Sequence, residues 1–231
     1  MRRFFFRFLV GVTATLPGVA PVYAQNIQLG NLAARLHASA PKLDGHVLEL
    51  ALDALQCARS GGMPAVDRLA VIDYSVPSTQ PRLWVFDLER ARLLFQELVA
   101  HGRNSGNNLA TAFSNQPESR ESSLGLFRTG GTYQGNNGYS LRMDGLEPGF
   151  NDNARERAIV MHGAPYVNDS MIDKLGRLGR SWGCPAVRLG IARPMIDALK
   201  GGQLLFAYYP DSRWLKLSHF LHCPSAQVAT R

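Results

Sequence analysis

The sequence predicts a mainly β protein with a short helical segment on its N-terminal side. Between residues 67 and 210, short runs rich in Leu, Val, Ile and aromatic residues recur, bounded by Pro, Gly, Ser and charged residues. Residues 28–60 read differently, because their apolar residues return at helical spacing. The 231 residues contain no internal repeat and no low-complexity linker, so one main domain is expected.

The first 24 residues read as an export signal. Arg2 and Arg3 form a basic start, and residues 4–16 are apolar apart from Arg7 and two threonines. Val22-Tyr23-Ala24 then places small residues where a signal is cut. The apolar run is shorter than the roughly 20 residues of a membrane-spanning helix, and no span is expected after cleavage. The expected organisation is a signal over 1–24, a helical segment over 25–62 and the main domain over 63–231.

In the helical segment, Leu29, Leu32, Ala33 and Leu36 make one apolar face. Pro41 separates it from a second helix, which starts after Asp44, a good N-cap. Val47, Leu48, Leu50, Ala51, Ala54 and Leu55 line that helix, and Gly61-Gly62 ends it. Strands are expected over 68–74, 82–87, 93–100, 125–133, 157–162 and 203–209. Residues 191–199 read as a short helix. Residues 101–108, 114–117 and 135–138 are polar and rich in Gly and Asn, the style of loop that carries binding sites on a β scaffold.

The formal charge of +7 falls to +4 once Arg2, Arg3 and Arg7 leave with the signal. That is a mild bias, compatible with an anionic envelope polymer. There is no basic run and no basic-aromatic stripe, so nucleic acid is not an expected partner. No glycine-rich phosphate loop or dinucleotide fingerprint is present. The three cysteines are Cys57, Cys184 and Cys223. An odd count in an exported chain fits one pair and one free thiol. Cys57 and Cys223 flank the domain and are the expected pair, which leaves Cys184 free.

Cys184 lies in Ser181-Trp182-Gly183-Cys184-Pro185-Ala186-Val187, and Met161-His162-Gly163 lies upstream. A thiolate is the nucleophile in cysteine acyl transfer, and a histidine can take the thiol proton. His162 ends an apolar run, which would hold its ring rigidly. A carbonyl such as that of Gly163 can orient the imidazole through its other nitrogen. Ser181 to Cys184 would form a tight turn, with the Gly183 and Cys184 N–H groups facing a developing oxyanion. Taken alone, a glycine-cysteine step or a histidine at a strand end is more often structural than catalytic.

His162 followed by Ser181-Trp182-Gly183-Cys184 resembles the histidine-then-Ser/Thr-x-Gly-Cys signature of L,D-transpeptidases. The wider text at 99–106, 122–125, 138–141, 145–147 and 179–187 is similar to the murein L,D-transpeptidase catalytic-domain-like family of exported bacterial proteins. The likeness covers roughly residues 44–210. It implies a β-sandwich-like or mixed-sheet catalytic domain that acts on peptidoglycan peptide stems without a cofactor or metal. By implication Cys184 attacks the diaminoacyl carbonyl of a tetrapeptide stem and expels D-alanine. His162 serves as base and then acid, Gly183 and Cys184 supply the oxyanion hole, and Ser181 orders the turn. An amine acceptor or water then resolves the thioester.

Two letters depart from the better-known pattern. Trp182 stands where a histidine is usual, and Ala186 where an arginine or asparagine is frequent, with Arg188 further along. Trp182, His101, Tyr139, Asn151 and Arg188 are the expected substrate-binding residues, with Arg128, Tyr133, Arg142 and Glu147 as looser candidates. The rival readings are an exported cysteine hydrolase and a non-catalytic wall-binding protein of the same fold. A metal site built from His219, His222 and Cys223 is the weakest alternative.

Overall fold

A computed structural model of the chain describes residues 31–223. The expected signal over 1–24 and the start of the helical segment lie outside the described residues. Residues 31–39 are helical and form α1. Helix α2 (Gly45–Ser60) starts where Asp44 predicts, since its carboxylate accepts from the His46 and Val47 N–H groups at 2.8 and 3.3 Å. Gly61 caps its end. Val47, Leu48, Ala51, Leu52, Leu55 and Ala58 are buried along one face, a stripe at helical spacing that must find an apolar partner.

That partner is a mixed sheet. Its strands are β1 (Arg68–Asp73), β2 (Leu83–Asp87), β3 (Arg92–Glu97), β4 (Gly125–Gly135), β5 (Gly138–Gly145), β6 (Val160–Ala164), β7 (Ala186–Arg188) and β8 (Leu204–Tyr208). They form one eight-stranded sheet in the order β3-β2-β1-β8-β4-β5-β6-β7. The pairs β1–β8 and β6–β7 are parallel, and the rest are antiparallel. Strands β2 and β8 are buried along their whole length, as expected where helices cover a sheet. Both α2 and α4 (Leu189–Leu199) pack on this region.

The sheet curls until its two edges nearly meet. Ala100, just beyond β3, bridges to Ala186 in β7, and Gly102 bridges to Ser181. Arg188 on β7 grips Glu97 at the end of β3 with two bonds of 2.8 and 2.7 Å. The mixed-sheet expectation therefore takes the form of an almost closed barrel.

Several local expectations change. The run at 157–162 becomes β6 only from Val160, and His162 sits mid-strand because Gly163 and Ala164 continue the ladder with Val187 and Arg188. Strand β5 is not among the expected strands; the polar stretch at 135–138 is the turn that closes its hairpin on β4. Two helices went unread, α3 (Asp169–Leu175) and α5 (Ser212–Leu217), and both are only two turns or less. Helix α4 begins at Leu189 and tolerates Pro194 in its interior.

Cys57 and Cys223 form a disulfide spanning 166 residues, which ties the end of α2 to the segment after α5. His219 places a ring nitrogen within 4.8 Å of both sulfurs. In the disulfide neither sulfur is a thiolate, so the three do not make a ligand set. No helix among the described residues is long and apolar enough to cross a membrane.

Denatured, unreduced protein is expected to titrate one thiol, rising to three after reduction. Reduction should lower the unfolding free energy by about 2–5 kcal/mol in urea titrations. Three thiols before reduction would contradict the pairing.

Candidate active site

The site is built where β6 and β7 run side by side. His162 is paired with Ala186, and its N–H donates to the Pro185 carbonyl at 3.4 Å. Cys184 lies two residues before Ala186 and falls beside Val160, whose N–H meets Cys184 Sγ at 3.5 Å. Val160 and His162 are two apart on one strand, so their side chains share a face. This register sets Cys184 and His162 on neighbouring segments, two positions apart along the ladder.

Both groups are buried: His162 is 4% exposed and Cys184 8%. His162 Nδ1 lies 3.0 Å from the Gly163 carbonyl. A carbonyl only accepts, so Nδ1 carries the hydrogen and Nε2 is left as the basic nitrogen. Burial lowers the His162 pKa, against the Gly163 bond that raises it. Burial raises the Cys184 pKa, against the Val160 N–H and the Arg157 guanidinium that lower it. Burial thus disfavours the charged form of both groups. The thiol hydrogen has an acceptor in the Ala158 carbonyl at 3.7 Å. Ala158 has φ 54°, a left-handed conformation costly for a residue with a Cβ, at the point where its carbonyl faces the sulfur.

Ser181 shapes the turn. Its Oγ donates to the Cys184 carbonyl at 2.6 Å and accepts the Gly183 N–H at 3.1 Å. Gly183 has φ 125°, and a Cβ there would lie 2.8 Å from the Glu121 carbonyl, so only glycine fits. The expectation that the Gly183 N–H faces an oxyanion is corrected, because Ser181 already holds it. The Cys184 N–H turns toward its own Sγ.

A buried strut holds this turn in place. Arg82 is fully buried and donates to the Val99 carbonyl through Nε and Nη2 at 3.1 and 2.8 Å. Its Nη2 also lies 2.7 Å from His101 Nδ1. Because arginine only donates, His101 Nδ1 accepts and Nε2 carries the hydrogen toward the Gly106 carbonyl at 3.4 Å. Burial and Arg82 push the His101 pKa down to about 4. The His101 carbonyl then accepts the Ser181 N–H at 3.0 Å. The proposed cleft role of His101 is thus corrected: at 1% exposure it supports the turn from behind.

Three other expected substrate contacts are also spent internally. Asn151, fully buried, bonds the Leu124 and Leu126 carbonyls and the Glu147 N–H. Tyr139 lies on β5, where its hydroxyl meets Asp197 at 2.8 Å and Arg193 covers its ring. Arg188 is committed to Glu97. Gly163 admits helix α4, since a Cβ there would lie 2.8 Å from Ala192 Cβ. Glu147 is buried and accepts from the Leu126 N–H and the Trp214 indole at 2.7 and 2.9 Å. Trp182 is the exception, 69% exposed beside the nucleophile turn.

The sequence reading missed Arg157. Its Nη1 reaches the Ser114 carbonyl and Ser123 Oγ, both at 2.6 Å, and its Nη2 reaches Ser119 Oγ at 3.0 Å and the Glu121 carbonyl at 2.7 Å. Nothing in its spacing marks it, because its partners lie 34 to 43 residues away.

A family model described as the L,D-transpeptidase catalytic domain matches residues 39–208, and the chain belongs to that family. No curated protein matches the sequence. Among solved structures, an L,D-transpeptidase from Mycobacterium smegmatis is similar at 12% identity and TM-score 0.40, over 62% of this chain and 59% of that one. One from Mycobacterium tuberculosis H37Rv is similar at 14% identity and TM-score 0.37, over 62% and 58%. One from Stackebrandtia nassauensis is similar at 15% identity and TM-score 0.36, over 80% and 91%. The chain spans about three fifths of the length of the first two.

Two outcomes are expected from this geometry. Burial lifts the thiol pKa above its ordinary value near 8.5, so less thiolate exists at neutral pH than in a free cysteine. Iodoacetamide alkylation of Cys184 should therefore rise with pH through a midpoint above that of free cysteine. A midpoint below it would mean a preformed thiolate–imidazolium pair. Ser181→Ala leaves the Gly183 N–H and Cys184 carbonyl without their partner and should cost about 1–3 kcal/mol in urea denaturation.

Proposed function

We propose that this family member is a peptidoglycan L,D-transpeptidase that works through a Cys184 thioester. The observation that carries the proposal is the β6–β7 register that sets His162 and Cys184 on neighbouring segments, with His162 Nδ1 on the Gly163 carbonyl and Nε2 left as the basic nitrogen. Sγ attacks the diaminoacyl carbonyl of a tetrapeptide stem while its proton passes to His162 Nε2. The oxyanion gathers against the Cys184 N–H. The C–N bond to D-alanine breaks, and the imidazolium returns its proton to the departing nitrogen.

An amine of a second stem then attacks the thioester. It gives a proton to His162, the C–S bond breaks, and the thiolate recovers that proton. One amide is broken and one is made, so no external energy source is required. Water in place of the amine gives the hydrolytic outcome, a shortened stem. The basic n-region and apolar run of the first 24 residues support export, which places the enzyme with its substrate in the cell envelope.

The test is to incubate purified protein with tetrapeptide muropeptides and separate the products by mass. A crosslinked dimer and free D-alanine are expected, with a carbapenem leaving an intact-mass adduct. Cys184→Ala should abolish the adduct and the product. His162→Ala should lower the rate by about 10²–10⁴-fold, the span of a general base. Stem processing unchanged in Cys184→Ala would overturn the proposal.

A further inference from the structure

The end of α2 and the segment after α5 bring together a second set of reactive side chains, on elements that carry no part of the Cys184 site. Cys57 lies in the last turn of α2 and is buried, Cys223 is half-buried, and His219 is exposed. The Cα atoms of Cys57 and Cys223 are 5.7 Å apart. The two sulfurs and one imidazole nitrogen of His219 all lie within 4.8 Å of one another. A tetrahedral zinc ion holds sulfur at about 2.3 Å and nitrogen at about 2.0–2.1 Å, which sets its ligand atoms about 3.5–3.8 Å apart. As thiolates the two sulfurs part to that spacing, and the exposed imidazole moves in to meet them.

Each ligand is positioned by its own element. Cys57 is carried by α2, whose buried stripe packs on the sheet. The segment after α5 is anchored by buried Trp214, whose carbonyl accepts the Ser218 N–H at 2.8 Å. The chain then folds back over 218–222, with the Leu221 N–H donating to the Ser218 carbonyl at 3.2 Å and the His222 N–H to the His219 carbonyl at 3.4 Å. That turn sets Cys223 beside Cys57 and leaves the His219 carbonyl 3.6 Å from Cys57 Sγ. The His219 ring packs at 4.2 Å on Phe220, which is buried. His222 points elsewhere: its Nε2 donates to the Leu215 carbonyl at 2.7 Å. The trio expected from the sequence, His219, His222 and Cys223, is therefore changed in one member, with Cys57 brought in by α2 in place of His222. Two thiolates and an imidazole are a donor set that suits zinc and not the oxygen-seeking magnesium or calcium.

We propose that the chain with Cys57 and Cys223 unoxidised binds one zinc ion through both sulfurs and a ring nitrogen of His219, at the place the disulfide occupies in the oxidised protein. Two thiol protons leave to solvent as the ion enters, and no electrons move. A water fills the fourth position, on the side where His219 is exposed. The ion closes the same long loop as the disulfide and withholds both thiols from pairing with Cys184. The site is independent of the transpeptidase reading.

The test uses the full chain carrying Cys184→Ala, so that Cys57 and Cys223 are its two thiols. It is reduced with a phosphine, which is then removed without air, and titrated with Co²⁺ as a spectroscopic stand-in. One ion per chain is expected, with the intense visible bands of a tetrahedral ion and a near-ultraviolet thiolate-to-cobalt band, both bleached by Zn²⁺. The oxidised protein should show neither band. His219→Ala should weaken Zn²⁺ binding by at least about tenfold, since the loss of even an outer-shell partner costs that much. His222→Ala should leave it unchanged. Zn²⁺ should raise the urea midpoint of the reduced protein and not of the oxidised one. If the reduced chain fails to fold by itself, Zn²⁺ should restore the near-ultraviolet circular dichroism of buried Trp84 and Trp214. No saturation at one ion per chain, an octahedral spectrum, equal binding by the oxidised protein, an affinity unmoved by His219→Ala, or an equal loss in His222→Ala would overturn the proposal.

Discussion

The short parallel ladder between β6 and β7 governs everything at the site. It has three residue pairs, beginning with His162 opposite Ala186. A slip of one residue would turn His162 to the other face, because side chains alternate along a strand. The ladder is not long enough to secure its own register. It is held from outside by the Arg188–Glu97 ion pair, by the Ala100–Ala186 bridge and by helix α4 packed against Gly163. The near closure of the sheet thus holds the ladder that carries His162 beside the Cys184 turn.

The nucleophile turn depends on a second chain of contacts that contains no reacting atom. Buried Arg82 holds His101, His101 holds Ser181, and Ser181 closes the turn on Cys184. A buried guanidinium is costly unless its donors are met, and here the Val76 and Val99 carbonyls and His101 meet them. Within the polar, glycine-rich stretch after β3, His101 and Ser105 are accordingly buried supports, while Arg103, Asn104 and Asn107 are exposed.

Much of this was legible in the sequence, and the limits have physical reasons. Asp44, Gly61 and the apolar stripe of α2 are local signals, and the helix forms where they place it. Buried strands such as β2 and β8 announce themselves by composition. That the 161–163 and 181–187 segments belong together was readable because the motif is short and its letters are rare, and the β6–β7 ladder sets them side by side. The substrate-binding residues were not, since loop polarity does not distinguish a side chain facing solvent from one satisfying a neighbour's backbone. His101, Asn151 and Arg188 are all polar and all internally engaged. Arg157 escaped notice because its role exists only after distant loops converge. Trp182, the letter least like the family pattern, turned out to be the one exposed aromatic beside the turn.

The central claim is that burial disfavours the charged forms of the Cys184 thiol and of the His162 imidazole, whose Nδ1 is pinned to a carbonyl. The most direct measurement is the ¹⁵N chemical shifts of His162 at pH 7, assigned by comparison with His162→Gln. The account predicts a protonated Nδ1 and an unprotonated Nε2. An imidazolium, or a hydrogen on Nε2 with Nδ1 bare, would contradict it.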